Sequence, residues 1–279
     1  MRTIAAAAVE EAVRSACIEA AIEAAPDLIA AFERARGMEE SPLGRETIER
    51  LLENCRLART ERIPICQDTG LAVFFVERGE EVTIAGGTLG EAIAGGVRRG
   101  YADGYLRKST CDCLTRKNVG DNTPAIVHYD LVPGDALRIA FMAKGGGSEN
   151  MSALAMLKPA QGEAGILDFV VATVEKAGSN PCPPIIVGVG VGGNFEQAAL
   201  NSKKSLLREL GRPSPDPVAA RMEAELLRRV NNLGIGPEGF GGRVTALAVH
   251  LIIQPCHLAS LPVAVNIQCH AARHKVIEL

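Results

Sequence analysis

The sequence predicts an α+β protein: a helical region over about 1–62, then mixed β-sheets covered by helices over about 63–279. Three observations carry that prediction. Residues 4–36 are rich in Ala, Glu and Arg, with Pro26 almost the only breaker. From Leu71 onward, short aliphatic and β-branched runs recur between turns bearing Gly or Pro. The one stretch that imitates a dinucleotide fingerprint, Gly188-x-Gly190-x-x-Gly193, lacks the following strand with its acidic end, which argues against a doubly wound Rossmann fold and leaves a nucleotide-binding oxidoreductase as a third alternative resting on those glycines alone.

Taken in order, 4–36 reads as one or two amphipathic helices, and Ser41-Pro42 starts another over 43–60. Residues 71–76 (LAVFFV) and 81–84 (EVTI) are strand-like. Thr88 caps a helix from 89 to about 104, which Gly95 and Gly96 should weaken. Residues 105–123 are polar and irregular. Strands at 125–132 and 136–144 flank the turn Pro133-Gly134-Asp135. A helix over 163–178, a buried strand over 184–193 and a helix over 195–210 follow. RPSPDP (212–217) is a rigid linker before a helix that Gly234 stops. RVTALAVHLII and LPVAVNIQ read as the last strands.

The 279 residues are 47% hydrophobic and 23% charged, which suits a globular protein that buries its own core. Thirty Lys+Arg against 33 Asp+Glu leave a net charge of −3, against a nucleic-acid or anionic-membrane partner. No apolar run approaches the roughly 20 residues of a membrane span. Glu10 and Glu11 interrupt the opening before any signal-peptide core. A cytoplasmic protein is expected, so its eight Cys are thiols, metal ligands or catalytic groups and not a disulfide scaffold. Aromatic residues are only 4%, so Ala, Val, Ile and Leu must build the core.

Cys17 and Cys55 fall in helices and are read as core. Cys111-Asp112-Cys113 lacks a matching second pair for a zinc ribbon, and Cys256-His257 with Cys269-His270-x3-His274 fits no standard finger spacing. Cys66, Cys182 and Cys269 stand apart, each at a strand–loop junction beside prolines or polar residues. Lys144 followed by Gly145, Gly146 and Gly147 is either a tight turn or a nest of N–H groups for a carboxylate.

PICQDTG (64–70), KNxGDNTPA (117–125), AKGGGSEN, NPCPPIIVGVGxGG and the CHLASLPVAVNIQCHAARH end resemble class I fumarate hydratases, in their N-terminal domain or separate alpha subunit. L(+)-tartrate dehydratase alpha subunits share the pattern. The resemblance covers nearly the whole chain, so 1–279 is expected to be a single fumarase alpha-type catalytic domain.

It implies that Cys66, Cys182 and Cys269 hold a [4Fe–4S] cluster, leaving one iron open as a Lewis acid for reversible hydration of a dicarboxylate. It further implies that Gln67, Arg107 and the N–H groups of Gly145, Gly146 and Gly147 bind substrate, with Asp68 and His257 in catalytic roles. Structural alternatives stay open: Asp68 as a loop cap, and His257 satisfying a buried carbonyl. Single-chain members carry a further domain that supplies other cations and the proton-abstracting group, so a beta subunit is the expected partner in a heteromer. Fumarate hydration to (S)-malate is the first expectation and L(+)-tartrate dehydration the second. A noncatalytic iron–sulfur sensor or binding protein is the alternative of another class, and a fourth ligand from Cys111, Cys113 or Cys256 would favour it.

Overall fold

The computed structural model describes residues 1–279. The elements run β1 (Arg2–Ala5), α1 (Ala6–Ile22), α2 (Pro26–Met38), α3 (Pro42–Glu61), β2 (Leu71–Gly79), β3 (Val82–Ala85), α4 (Leu89–Asp103), β4 (Ile126–Val132) and β5 (Leu137–Lys144). They continue with α5 (Gly146–Glu149), β6 (Ala153–Leu157), α6 (Gly162–Ala177), β7 (Ile185–Gly193), α7 (Phe195–Ser205), α8 (Pro217–Asn231), β8 (Ala246–Cys256), β9 (Leu261–Gln268) and β10 (His274–Glu278). The fold is α+β with mixed sheets, as expected, and no helix is long and apolar enough to cross a membrane. Two compact units form: Met1–Ala25 with Cys55–Gly146 and Arg273–Leu279, and Pro26–Asn54 with Gly147–Ala272.

The first unit holds a four-stranded sheet in the order β10-β5-β2-β4 and a parallel pair, β1 with β3. The turn at 133–135 is present, with Gly134 at φ +98°, yet the strands it joins do not pair. β2 lies between them, parallel to β4 and antiparallel to β5. The reason is burial: Ala72 through Val76 are all buried, so β2 belongs in the centre, whereas mostly exposed β4 takes the edge. Phe74 and Phe141 meet in the core with ring centroids 5.1 Å apart.

Thr88 caps α4 through a reciprocal box with Glu91. Gly95 and Gly96 prove to be packing residues. A Cβ on Gly96 would sit 2.6 Å from Val13 Cβ, and one on Gly100 would sit 2.8 Å from Cys17 Cβ. Their small size lets α1 and α4 approach closely, which offsets their poor helix propensity.

The second unit's sheet runs β6-β9-β7-β8, with β7 antiparallel to β9 and parallel to β8. The false fingerprint is explained here. A Cβ on Gly188 would lie 2.1 Å from Ser202 O, and one on Gly190 would lie 2.1 Å from Ala198 O. These glycines seat the backbone of α7 directly on β7. Val170, Val174, Val187 and Leu226 fill the core between this sheet and its helices.

Three strands escape the sequence reading: β1, β6 and β10 are short, and the last two carry Met or charged residues. LPVAVNIQ is therefore not the last strand, because β10 pairs antiparallel with β5. α7 stops at Ser205 and not at 210, since the chain turns there and Leu210 N–H is caught by Asp27 Oδ2 at 2.8 Å.

Candidate active site

In the first unit, the loop after α3 presents Cys66 half-buried and Gln67 exposed, with the Cys66 thiol donating to Gln67 Oε1 at 3.5 Å. Asp68 follows, half-buried and heavily engaged. Its Oδ1 accepts from Gly70 N–H at 3.1 Å and Ser109 O–H at 3.4 Å, and its Oδ2 accepts from Gly146 N–H at 2.7 Å. The glycine run expected to receive a carboxylate does receive one, the chain's own. Gly70 must be glycine: its φ is +78°, and a Cβ would meet Lys144 backbone at 2.8 Å.

Arg107 is exposed and forms no ion pair within the chain, while the backbone beneath it is pinned. Thr69 O–H donates to Arg107 O at 2.5 Å, and Asn118 Nδ2 donates to Lys108 O at 2.7 Å. Buried Asn122, at φ +61°, accepts at Oδ1 from Ser109 N–H (2.6 Å) and Thr110 N–H (3.1 Å), and its Nδ2 donates to Gly70 O at 3.2 Å. Behind them Tyr101 donates to Thr69 O and Gly70 O at 2.9 and 3.1 Å. Burial pushes the Tyr101 hydroxyl well above its ordinary pKa, so it remains a donor. Arg273, 2% exposed, extends its guanidinium behind Gly145.

In the second unit, Cys182 is exposed and holds the left-handed φ of +55°. Its carbonyl accepts from His270 N–H at 3.3 Å, which brings the Cys182 loop against the segment of half-buried Cys269. Glu238 braces the pair, donating its N–H to Pro183 O at 2.7 Å and placing Oε1 3.0 Å from His270 Nε2. His257 is exposed, and its Nδ1 accepts from Ala259 N–H at 3.2 Å. It therefore satisfies no buried carbonyl, and Nε2 carries the proton of the neutral ring.

No disulfide joins any of the eight cysteines. Cys17 and Cys55 are core thiols, as expected, and burial raises the latter to about 11. Cys66, Cys182 and Cys269 are more accessible than these two, and cysteine sulfur is the soft donor that iron–sulfur clusters take. No three His, Cys, Asp or Glu side chains converge closely enough to hold one metal ion. A cluster makes no such demand, because each thiolate binds a different iron.

Sequence reasoning missed Thr69, Tyr101, Ser109, Asn122, Glu238 and Arg273. Thr69, Asn122 and Arg273 carried a signal, each lying inside a stretch singled out for other residues.

The first unit thus presents an exposed arginine and an ordered carboxylate, and the second presents thiols on braced loops. Residues 10–278 match the model of the fumarate hydratase (Fumerase) family. The chain belongs to that family of hydro-lyases. A Methanocaldococcus jannaschii protein provisionally named L(+)-tartrate dehydratase subunit alpha is 41% identical over 92% of this chain and 93% of its own length. The Escherichia coli K12 protein named L(+)-tartrate dehydratase subunit alpha is 31% identical over 88% of this chain and 82% of its own.

Proposed function

We propose that the chain is the alpha subunit of an iron–sulfur L(+)-tartrate dehydratase, working with a beta subunit in the cytoplasm. The similarity to the tartrate dehydratase alpha subunits carries this reading and moves tartrate ahead of fumarate. Hydration of fumarate to (S)-malate is the second reading, favoured by the description of the matching family.

Cys66, Cys182 and Cys269 are the proposed thiolate ligands. Bound there, a [4Fe–4S] cluster supplies an iron with an open coordination position, a Lewis acid for substrate oxygens. Arg107 grips one substrate carboxylate with its planar fork. Gln67 and the Gly147 N–H donate to the remaining oxygens. Asp68 orients the site, since its oxygens already hold Gly70, Ser109 and Gly146. His257 offers Nε2–H to the departing hydroxyl, and the partner supplies the base that takes the carbon-bound proton.

The deciding experiment has two parts. Anaerobic iron and sulfide content of wild type and the Cys66→Ser, Cys182→Ser and Cys269→Ser variants should show about four of each in wild type only. Turnover of the alpha–beta complex on L-tartrate, (S)-malate and fumarate then separates the substrates. A site that hydrogen-bonds the second hydroxyl should favour tartrate over malate by orders of magnitude. Equal or greater turnover of malate would overturn the tartrate assignment, and a metal-free reconstituted chain would overturn the cluster.

A further inference from the structure

We propose that Asn122 is a positioning residue that fixes Arg107 relative to the Gln67–Asp68 segment. This inference rests on the substrate role proposed for Arg107. One buried amide joins the two loops. Its Oδ1 receives the N–H groups of Ser109 and Thr110 and the Thr110 hydroxyl at 2.6, 3.1 and 3.3 Å, while Nδ2 donates to Gly70 O at 3.2 Å. The Asn122 side chain is fully enclosed, so water cannot stand in for a lost bond. Its φ of +61° suits asparagine far better than a branched or bulky residue, so the position demands both this backbone and this amide.

The loops touch at two other places, Thr69 O–H to Arg107 O and Ser109 O–H to Asp68 Oδ1. Both depend on the course of 107–110. Releasing the Ser109 and Thr110 amides lets that course drift, and Arg107, with no ion pair of its own, drifts with it. Asn122 touches no substrate. It acts by preserving the distance between a carboxylate-gripping cation and the segment that bears Gln67 and Asp68, where a misplacement near 1 Å can cost about 10²-fold.

The test uses the reconstituted alpha–beta holoenzyme carrying Arg107→Lys, Asn122→Ala, Asn122→Asp and the double variant Arg107→Lys/Asn122→Ala. Asn122→Ala should lower kcat/KM by about 10²-fold, chiefly through KM, as expected when a grip on substrate is loosened. The double variant should lose little beyond Arg107→Lys, because both changes damage one interaction. Asn122→Asp keeps the acceptor for Ser109 and Thr110 but turns an oxygen instead of a donor toward Gly70 O, so it should keep those two amides protected while recovering only part of KM. Additive losses, or a fall in melting temperature with KM unchanged, would overturn the proposal. Amide exchange gives a readout independent of turnover: Ser109 and Thr110 should exchange faster in Asn122→Ala, and unchanged protection would also overturn it. A wild type inactive on every dicarboxylate would overturn the function, while the exchange result still decides whether Asn122 holds the loop.

Discussion

Asp68 and Glu39 are both carboxylates wrapped in backbone N–H groups, one in each unit. Glu39 is fully enclosed: Oε1 accepts from Glu40, Ser41 and Arg243 N–H at 2.9 Å each, and Oε2 from Val244 N–H at 2.7 Å. Gly44 and Gly242 press on it so closely that a Cβ on either would come within 2.8 Å. Burial pushes its pKa up, but these bonds pull harder, and the carboxyl ends below its ordinary value. Asp68 is only half-buried, with one donor a hydroxyl 3.4 Å away. The same chemistry thus yields a fastener where it is sealed, and at Asp68 a carboxylate still partly open to solvent, as its proposed role in the site requires.

Substitution should separate the two. Asp68→Asn is expected to lower kcat/KM by about 10³-fold, roughly 4 kcal/mol of barrier, while the urea midpoint moves little. Glu39→Gln should do the reverse, removing about 3 kcal/mol of stability by urea titration with kcat per folded molecule unchanged. A large kcat loss in Glu39→Gln, or a large midpoint loss in Asp68→Asn, would erase the distinction.

Acid sharpens it further. Glu39 has a depressed folded pKa, so its stabilisation is present above the ordinary carboxylate range and fades as pH falls through the folded value. His250 adds an earlier limb. Its ring is buried with Nδ1 3.2 Å from Ser205 O, and burial lowers its pKa from 6.5 to about 4. The unfolded chain takes up that proton first, so stability should fall by roughly 2–3 kcal/mol as pH drops through this window. Urea midpoints against pH should show both limbs in wild type and only the His250 limb in Glu39→Gln.

The smallest contrast lies between the glycine runs. Gly188→Ala forces a methyl onto Ser202 O and should cost about 2 kcal/mol. A Cβ on Gly147 meets nothing nearer than Asn180 O at 3.9 Å, so Gly147→Ala should shift the urea midpoint by no more than about 0.5 kcal/mol.

The capped helix α4, the central strands β2 and β7, and the core thiols Cys17 and Cys55 were legible because period, cap and breaker act within a few residues. Pairing was not. Nothing local says that β2 separates β4 from β5, or that β10 returns to β5. The site divides the same way. Cys66, Cys182 and Cys269 stood in long stretches of family pattern; Asn122 stood in one too, but it and Glu238 act through bonds to backbone far along the chain, which no local pattern shows. Glu39 left no trace, because its partners at 243–244 are ordinary peptide groups whose side chains take no part.

The placement of β10 has a consequence for biosynthesis. The first unit is written in three stretches, and its last comes only after Gly147–Ala272 has been made. A ribosome therefore releases the whole thiol-bearing second unit before the strand that completes the first unit's sheet and before Arg273. An incomplete product ending at Ala272 would contain Cys182 and Cys269 on finished loops, while Asp68 and Arg107 waited on a sheet still open along β5.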